Sequence, residues 1–200
     1  MNINVNYHSS IKIEDIYVDP YNIKEGNAKY IFITHSHYDH YSLEDINKIV
    51  NKDTVFVCTK DVADDLKNRL SNDIFVVEPN KTYSLNGIGF ETISSYNISK
   101  KFHPKVNGWV GYVITVNGVR YAILGDSDLT DDVKNIKCDV LFAPIGGTYT
   151  MNANEASELT NIINPKLVIP VHYNSIVGDK SCEMEFLKGL NKEIEYKIYL

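Results

Sequence analysis

The chain reads as an α/β protein in which two packed β-sheets carry helices on their outer faces. Three observations predict this. Tyr30-Ile31-Phe32-Ile33-Thr34 is a short continuous apolar run, the pattern of a strand buried on both faces, and a helix-spaced segment follows it. Asn86-Gly87 and Asn117-Gly118 each join two short runs of strand character, the strongest local signal for a hairpin. The last third then alternates strand and helix. Strands in both halves with helices beside them fit two sheets packed together.

Taken in order, Asn2–Tyr7 alternates as a strand, Ile11–Ile13 follows a turn, and Ile16-Tyr17-Val18 ends at Asp19-Pro20. The buried run 30–34 leads to Ser42, which with Asp45 resembles a capping box, and Leu43, Ile46, Ile49 and Val50 keep helical spacing. A strand at Thr54–Val57, a helix at Val62–Leu70 and a strand at Ile74–Val77 come next. The hairpins pair Lys81–Leu85 with Ile88–Ile93 and Trp109–Val116 with Val119–Leu124. Val140–Phe142 is a strand, Glu155–Ile163 a helix that stops before Pro165, and Leu167–Ile169 a strand. A helix at Glu183–Leu190 and an edge strand near Tyr196–Tyr199 follow.

At 200 residues the chain reads as one domain, 1–200. Apolar residues at 44% and charged residues at 23% are ordinary for a globular protein. The formal charge of −6 argues against a general nucleic-acid binder. No apolar run has membrane-spanning length, so no membrane insertion is expected. Cys58, Cys138 and Cys182 are too far apart for a zinc knuckle or a disulfide framework, and suit reduced thiols in a cytoplasmic protein. The terminal edge strand permits a homo-oligomer without requiring one.

Half of the chain's 6 histidines fall within His35-Ser36-His37-Tyr38-Asp39-His40. Composition alone would produce H-x-H-x-D-H about 4 times in 10,000 such chains. Imidazole and carboxylate are standard ligands for zinc and related ions. In an extended segment, residues two apart point the same way, so His35 and His37 can reach one metal. Asp39 and His40, where the chain turns towards the Ser42 helix, aim elsewhere. That spacing suits two neighbouring metals. Further ligands belong at strand ends, where Asp126 and His172 lie, and His103 sits in the long loop 96–108.

Thr34-His35-Ser36-His37-Tyr38-Asp39-His40, Leu124-Gly125-Asp126-Ser127-Asp128 and Pro170-Val171-His172-Tyr173 resemble the successive motifs of metallo-β-lactamase-fold hydrolases. Ala143-Pro144-Ile145-Gly146-Gly147-Thr148-Tyr149-Thr150-Met151 narrows the likeness to the branch that includes ascorbate-6-phosphate lactonase-like proteins and phospholipase-D-like proteins acting on N-acyl phosphatidylethanolamines. The resemblance covers essentially the whole chain. It implies a four-layer αββα sandwich of two mixed β-sheets. It also implies His35 and His37 on a first metal, Asp39, His40 and His172 on a second, and Asp126 bridging both. His8 matches a histidine that lines the pocket in this branch. One position departs: the family's third ligand of the first metal aligns with Asn97, and His103 comes six residues later. Either His103 completes that site or the site lacks a third imidazole.

Two divalent ions about 3.5–4 Å apart can hold a bridging hydroxide at neutral pH. The expected function is therefore a dinuclear hydrolase of a small anionic ester, lactone or phosphodiester, with zinc the expected ion and manganese or iron also accepted by this ligand set. Asp39 would orient the nucleophile, and His8 and Tyr149 are candidates for proton donation or oxyanion stabilisation. Lys100, Lys101 and Lys105 make the 96–108 loop locally basic, which suits an anionic substrate, although loop lysines are usually just solvated. The alternative is a metal-binding sensor or scaffold without turnover. A two-iron oxidoreductase on this fold typically carries Glu where His37 stands.

Overall fold

The computed structural model describes residues 2–200, which form two compact units: one runs up to Glu78 and includes Leu200, the other is Pro79–Tyr199. The first unit holds a six-stranded mixed sheet of β1 (Ile3–Tyr7), β2 (Ser10–Ile13), β3 (Ile16–Val18), β4 (Tyr30–Ile33), β5 (Val55–Cys58) and β6 (Ile74–Val76), in that spatial order. β1 to β3 pair antiparallel and β3 to β6 pair parallel. Parallel neighbours need crossovers. Helices α1 (Leu43–Ile49) and α2 (Lys60–Leu66) supply two of them. Their apolar faces, Ile46, Ile49, Val62 and Leu66, close over Tyr17, Ile31, Ile33 and Phe56 to make the core of this unit.

The second unit holds a seven-stranded mixed sheet in the order β13-β12-β11-β10-β9-β8-β7. Its strands are β7 (Thr82–Leu85), β8 (Ile88–Ser94), β9 (Val110–Val116), β10 (Val119–Ile123), β11 (Val140–Pro144), β12 (Leu167–Val171) and β13 (Glu195–Tyr196). β7 to β10 form an antiparallel meander and β10 to β13 run parallel. Both Asn-Gly pairs make the expected turns. Asn86 and Gly87 have φ of 50° and 86°, and Asn117 and Gly118 have 51° and 78°. Two successive left-handed residues are the type I′ turn that matches the twist of a hairpin. Helices α3 (Asp131–Lys134), α4 (Ala153–Ile163) and α5 (Lys180–Gly189) complete the unit.

The helices differ from their sequence expectations at their ends, and caps explain why. α4 starts two residues early because Asn152 and Glu155 form a reciprocal capping box. It stops at Asn164, left-handed at φ 52°, one residue before Pro165. α5 starts at Lys180 because the Asp179 side chain accepts from Ser181 N. α2 ends at Leu66 rather than Leu70. Short α3 and a 3₁₀ turn at Lys105–Asn107 carry too few residues to show a period.

At α1 the expected capping box is only half made. Ser42 Oγ accepts from Asp45 N, but the Asp45 carboxylate turns to the chain before β4, accepting from Asn22 N at 2.9 Å and Ile23 N at 2.8 Å. Burial would raise the pKa of Asp45, but hydrogen bonds from Ser42, Lys48, Asn22 and Ile23 outweigh it and hold the carboxyl below its ordinary value. A depressed carboxylate adds stability above its unfolded pKa and loses it as pH falls through the native value. Asp45→Asn is therefore expected to cost about 1–2 kcal/mol in urea unfolding at pH 7. The difference from wild type should narrow once the pH drops below about 4. A pH-independent difference would show that the charge is not what Asp45 contributes.

Candidate metal centre

In the first unit, the chemistry-bearing side chains all leave one end of the sheet. His8 follows β1, Asp19 follows β3 and His35 follows β4 by one residue, Thr34. The register Ile11–Val18 and Val18–Phe32 puts those strand ends side by side. His37 O accepts from the backbone N–H of His40 and of Tyr41, a tight turn that reverses the chain before α1.

Buried Asp19 organises this end, and sequence reading missed it. Its Oδ1 accepts from Thr34 N at 2.8 Å, and its Oδ2 accepts from Thr34 Oγ1 at 2.7 Å and faces His40 Nδ1 at 2.8 Å. An ionised carboxylate only accepts. The single Thr34 hydroxyl proton therefore goes to Asp19, and the hydroxyl oxygen accepts from His35 Nδ1, 2.9 Å away. Both rings hold their proton on Nδ1, so the neutral imidazoles carry lone pairs on Nε2. One buried acid thus fixes two histidines, one directly and one through Thr34.

Those Nε2 atoms converge with other donors. Asp39 Oδ2 lies 3.2 Å from His8 Nε2 and 3.8 Å from His40 Nε2. The ligand nitrogen of His35 lies within 4.8 Å of those of His37 and of His40. His35, Asp39, His40 and His8 are buried and His37 is half-buried.

The second unit repeats the pattern around one carboxylate. Asp126 follows β10, and His172 follows β12 directly. Asp126 Oδ1 lies 3.1 Å from His172 Nε2, and Asp126 Oδ2 lies 3.3 Å from His103 Nε2. His103 reaches this place from the loop between β8 and β9. Asn97, at the start of that loop, meets His103 Nδ1 instead of Asp126. Trp109 is buried, with its ring edge-on to His103 at 5.4 Å.

The donor chemistry fits metal ions. In the first unit, the proton-free Nε2 of His40 faces a carboxylate oxygen, and in such a pair two electron-rich atoms oppose each other unless a proton or a cation lies between them. All these groups are buried, where water cannot relieve the repulsion. The backbone is also held out of its ordinary conformation here. His8, Asp19 and His172 have φ of 54°, 47° and 57°. A left-handed non-glycine residue costs about 1–2 kcal/mol, and such strain clusters at functional sites.

One expectation needs correction. The 96–108 loop does not offer three cations to a ligand. Lys100 is paired with Asp128 and donates to Thr150 O at 2.8 Å. Lys105 pairs with Asp132 at 3.1 Å. Lys101 alone of the three is both exposed and outside these pairs. The Tyr149 ring packs edge-on against Phe102 at 4.6 Å, and its carbonyl accepts from Asn97.

A family model of the beta-lactamase superfamily domain matches residues 3–172, a span that takes in every one of these side chains. The chain belongs to the beta-lactamase superfamily. A UPF0173 metal-dependent hydrolase of Methanosphaera stadtmanae is 29% identical to it over 181 residues, covering 84% of this chain and 76% of that protein. A UPF0173 protein of Pyrococcus abyssi is 27% identical over 192 residues, covering 90% and 82%. Among solved structures, a Parabacteroides distasonis protein assigned as a metal-dependent hydrolase superposes with a TM-score of 0.85 at 26% identity, covering 98% of this chain and 91% of that one.

For this superfamily member, glycine at 146 is a steric requirement. A Cβ there would lie 2.2 Å from the carbonyl oxygen of His172 and 2.8 Å from Val177 Cγ2. Backbone cannot yield as a flexible side chain does. Gly146→Ala should cost about 1–3 kcal/mol in urea unfolding, and should displace the left-handed residue that presents imidazole to Asp126. Unchanged stability would mean that the loop after β12 can move aside.

Proposed function

We propose that this superfamily member is a dinuclear metal-dependent hydrolase that cleaves a small anionic ester, a lactone or a phosphodiester. One observation carries the reading. Two buried carboxylates face imidazole Nε2 atoms, Asp39 that of His40 and Asp126 those of His103 and His172, a set of donors suited to two cations. His35, His37 and His103 would hold the first ion, Asp39, His40 and His172 the second, and Asp126 both. Zinc suits this set best, and manganese or iron would also be accepted. When bound, such a pair of ions lowers the pKa of water towards neutrality and polarises the substrate's carbonyl or phosphoryl oxygen.

The protein's own groups then do the positioning. Asp19 and Thr34 keep the Nε2 atoms of His35 and His40 aimed outward from the sheet end. Asp39, gripped by His8, orients the attacking oxygen. His8 Nε2 is the site where a proton can be held between the imidazole and Asp39, and released to the leaving group. Tyr149 is the candidate to donate to the developing oxyanion. The positive charge for an anionic substrate comes chiefly from the ions, with Lys101 as the remaining free loop cation.

No helix of the described residues is long and apolar enough to cross a membrane. Cys58, Cys138 and Cys182 are free thiols, and burial pushes Cys58 and Cys138 up to about 12. Three unpaired cysteines fit the proposed cytoplasmic location.

The test is elemental analysis of the purified chain, followed by chelation and a screen of lactones and phosphodiesters. Two ions per chain, with turnover lost on chelation and in Asp126→Ala, is the expected result. His103→Ala should lose about one of the two ions. One ion or none after metal is supplied would end the dinuclear reading. Two ions with no turnover on either ester class would favour a metal-binding sensor.

A further inference from the structure

We infer that Asn97 is a positioning residue that fixes the tautomer of His103, so that the ring offers Nε2 and not Nδ1 to a metal. The inference rests on the reading above that His103 is a ligand. By resemblance, Asn97 stands where the family carries a ligand. In the structure it sits behind the imidazole that takes over that task.

Asn97 is buried, and its Nδ2 donates to Asp128 Oδ1 at 3.1 Å and to Tyr149 O at 2.8 Å. A carboxylate and a backbone carbonyl both accept, so the amide nitrogen must face them. The amide cannot be turned over without setting its oxygen against two acceptors. Asn97 Oδ1 therefore faces His103 Nδ1, 3.1 Å away, and has no proton to give. A hydrogen bond to Asn97 needs the histidine to donate from Nδ1, which puts its one neutral-state proton there and leaves the Nε2 lone pair facing Asp126 Oδ2 at 3.3 Å, where a cation would lie between them.

The amide is itself clamped. Asp128 Oδ2 accepts from Ile98 N at 2.9 Å, and Lys100 pairs with Asp128 Oδ1 and reaches Thr150 O. Asn97 N donates to His103 O at 2.8 Å, which closes the segment 97–103 so that amide and imidazole stand face to face. A relay runs Lys100 to Asp128 to Asn97 to His103. It does for the second unit what Asp19 does for the first, with a neutral amide as the last member.

The test reads the tautomer directly in the metal-free full-length protein. Histidines are labelled with 15N, the His103 signal is assigned by its loss in His103→Ala, and long-range proton–nitrogen correlations at pH 8 show which nitrogen is protonated. Wild type should be Nδ1-protonated. Asn97→Leu, which removes the acceptor, should lose that preference and bind zinc roughly tenfold or more weakly. Asn97→Asp keeps an acceptor but loses both donors, and should stay Nδ1-protonated. If Asn97 served only to hold the loop through its donors, Asn97→Asp and Asn97→Leu would behave alike, and that result overturns the proposal. An Nε2-protonated wild type overturns it without any variant, even if Asn97→Leu does not fold. A changed tautomer with unchanged zinc affinity supports the positioning and instead removes His103 from the ligand set.

Discussion

A neutral imidazole has two ring nitrogens and one proton, and much of this structure follows from where that proton is placed. At His35 and His40 it is drawn to Nδ1 by the Asp19–Thr34 pair, and at His103 the partner on Nδ1 is Asn97. Each ring is left with a lone pair on the atom that faces other donors. Histidines without such partners would divide between tautomers, and each would then reach its ligand position only part of the time.

This arrangement is held against the folding energetics of its surroundings. Buried carboxylates facing proton-free nitrogens repel, and His8, Asp19 and His172 occupy backbone conformations that side chains disfavour. In each unit these groups persist because that unit's own sheet over-determines their geometry. β3 and β4 are buried along their whole length, as are β11 and β12 apart from half-buried Leu167, so their ends cannot relax independently. The parallel register that aligns β10, β11 and β12 also aligns the positions of Asp126, Gly146 and His172 just beyond them.

What could be read from the chain alone followed the range of each interaction. The strands and both hairpins were legible because their signals are local: apolar runs, alternation, Asn-Gly pairs. The His35–His40 cluster was legible because its donors are packed into six residues. Asp19 was not, since a lone Asp before Pro20 at a strand end looks like any turn residue, and its partners lie 15 and 21 residues away. Lys100 and Lys105 looked like loop cations because Asp128 and Asp132 come 28 and 27 residues later. Asp45 resembled half of a capping box. Its second task, holding Asn22 and Ile23, spans more than 20 residues and leaves no local trace.

The loop that carries His103 is where the chain departs from the family's motif pattern. A ligand at a strand end inherits its position from the sheet, whereas a ligand on a loop must have its position fixed by other means. The seven residues from Asn97 to His103 would otherwise lose conformational freedom on ordering with little packing in return. Their side chains say as much: Ile98 and Phe102 are exposed despite being apolar. What orders the segment is polar, the Lys100–Asp128–Asn97 chain inside and the Asn97–His103 backbone bond across its base. With His103 as the proposed ligand, position 97 needs a residue that both anchors the loop and orients the ring. An asparagine, with two donors and one acceptor on one rigid amide, meets both needs, whereas a second histidine has only one donor beside its acceptor and a leucine has neither.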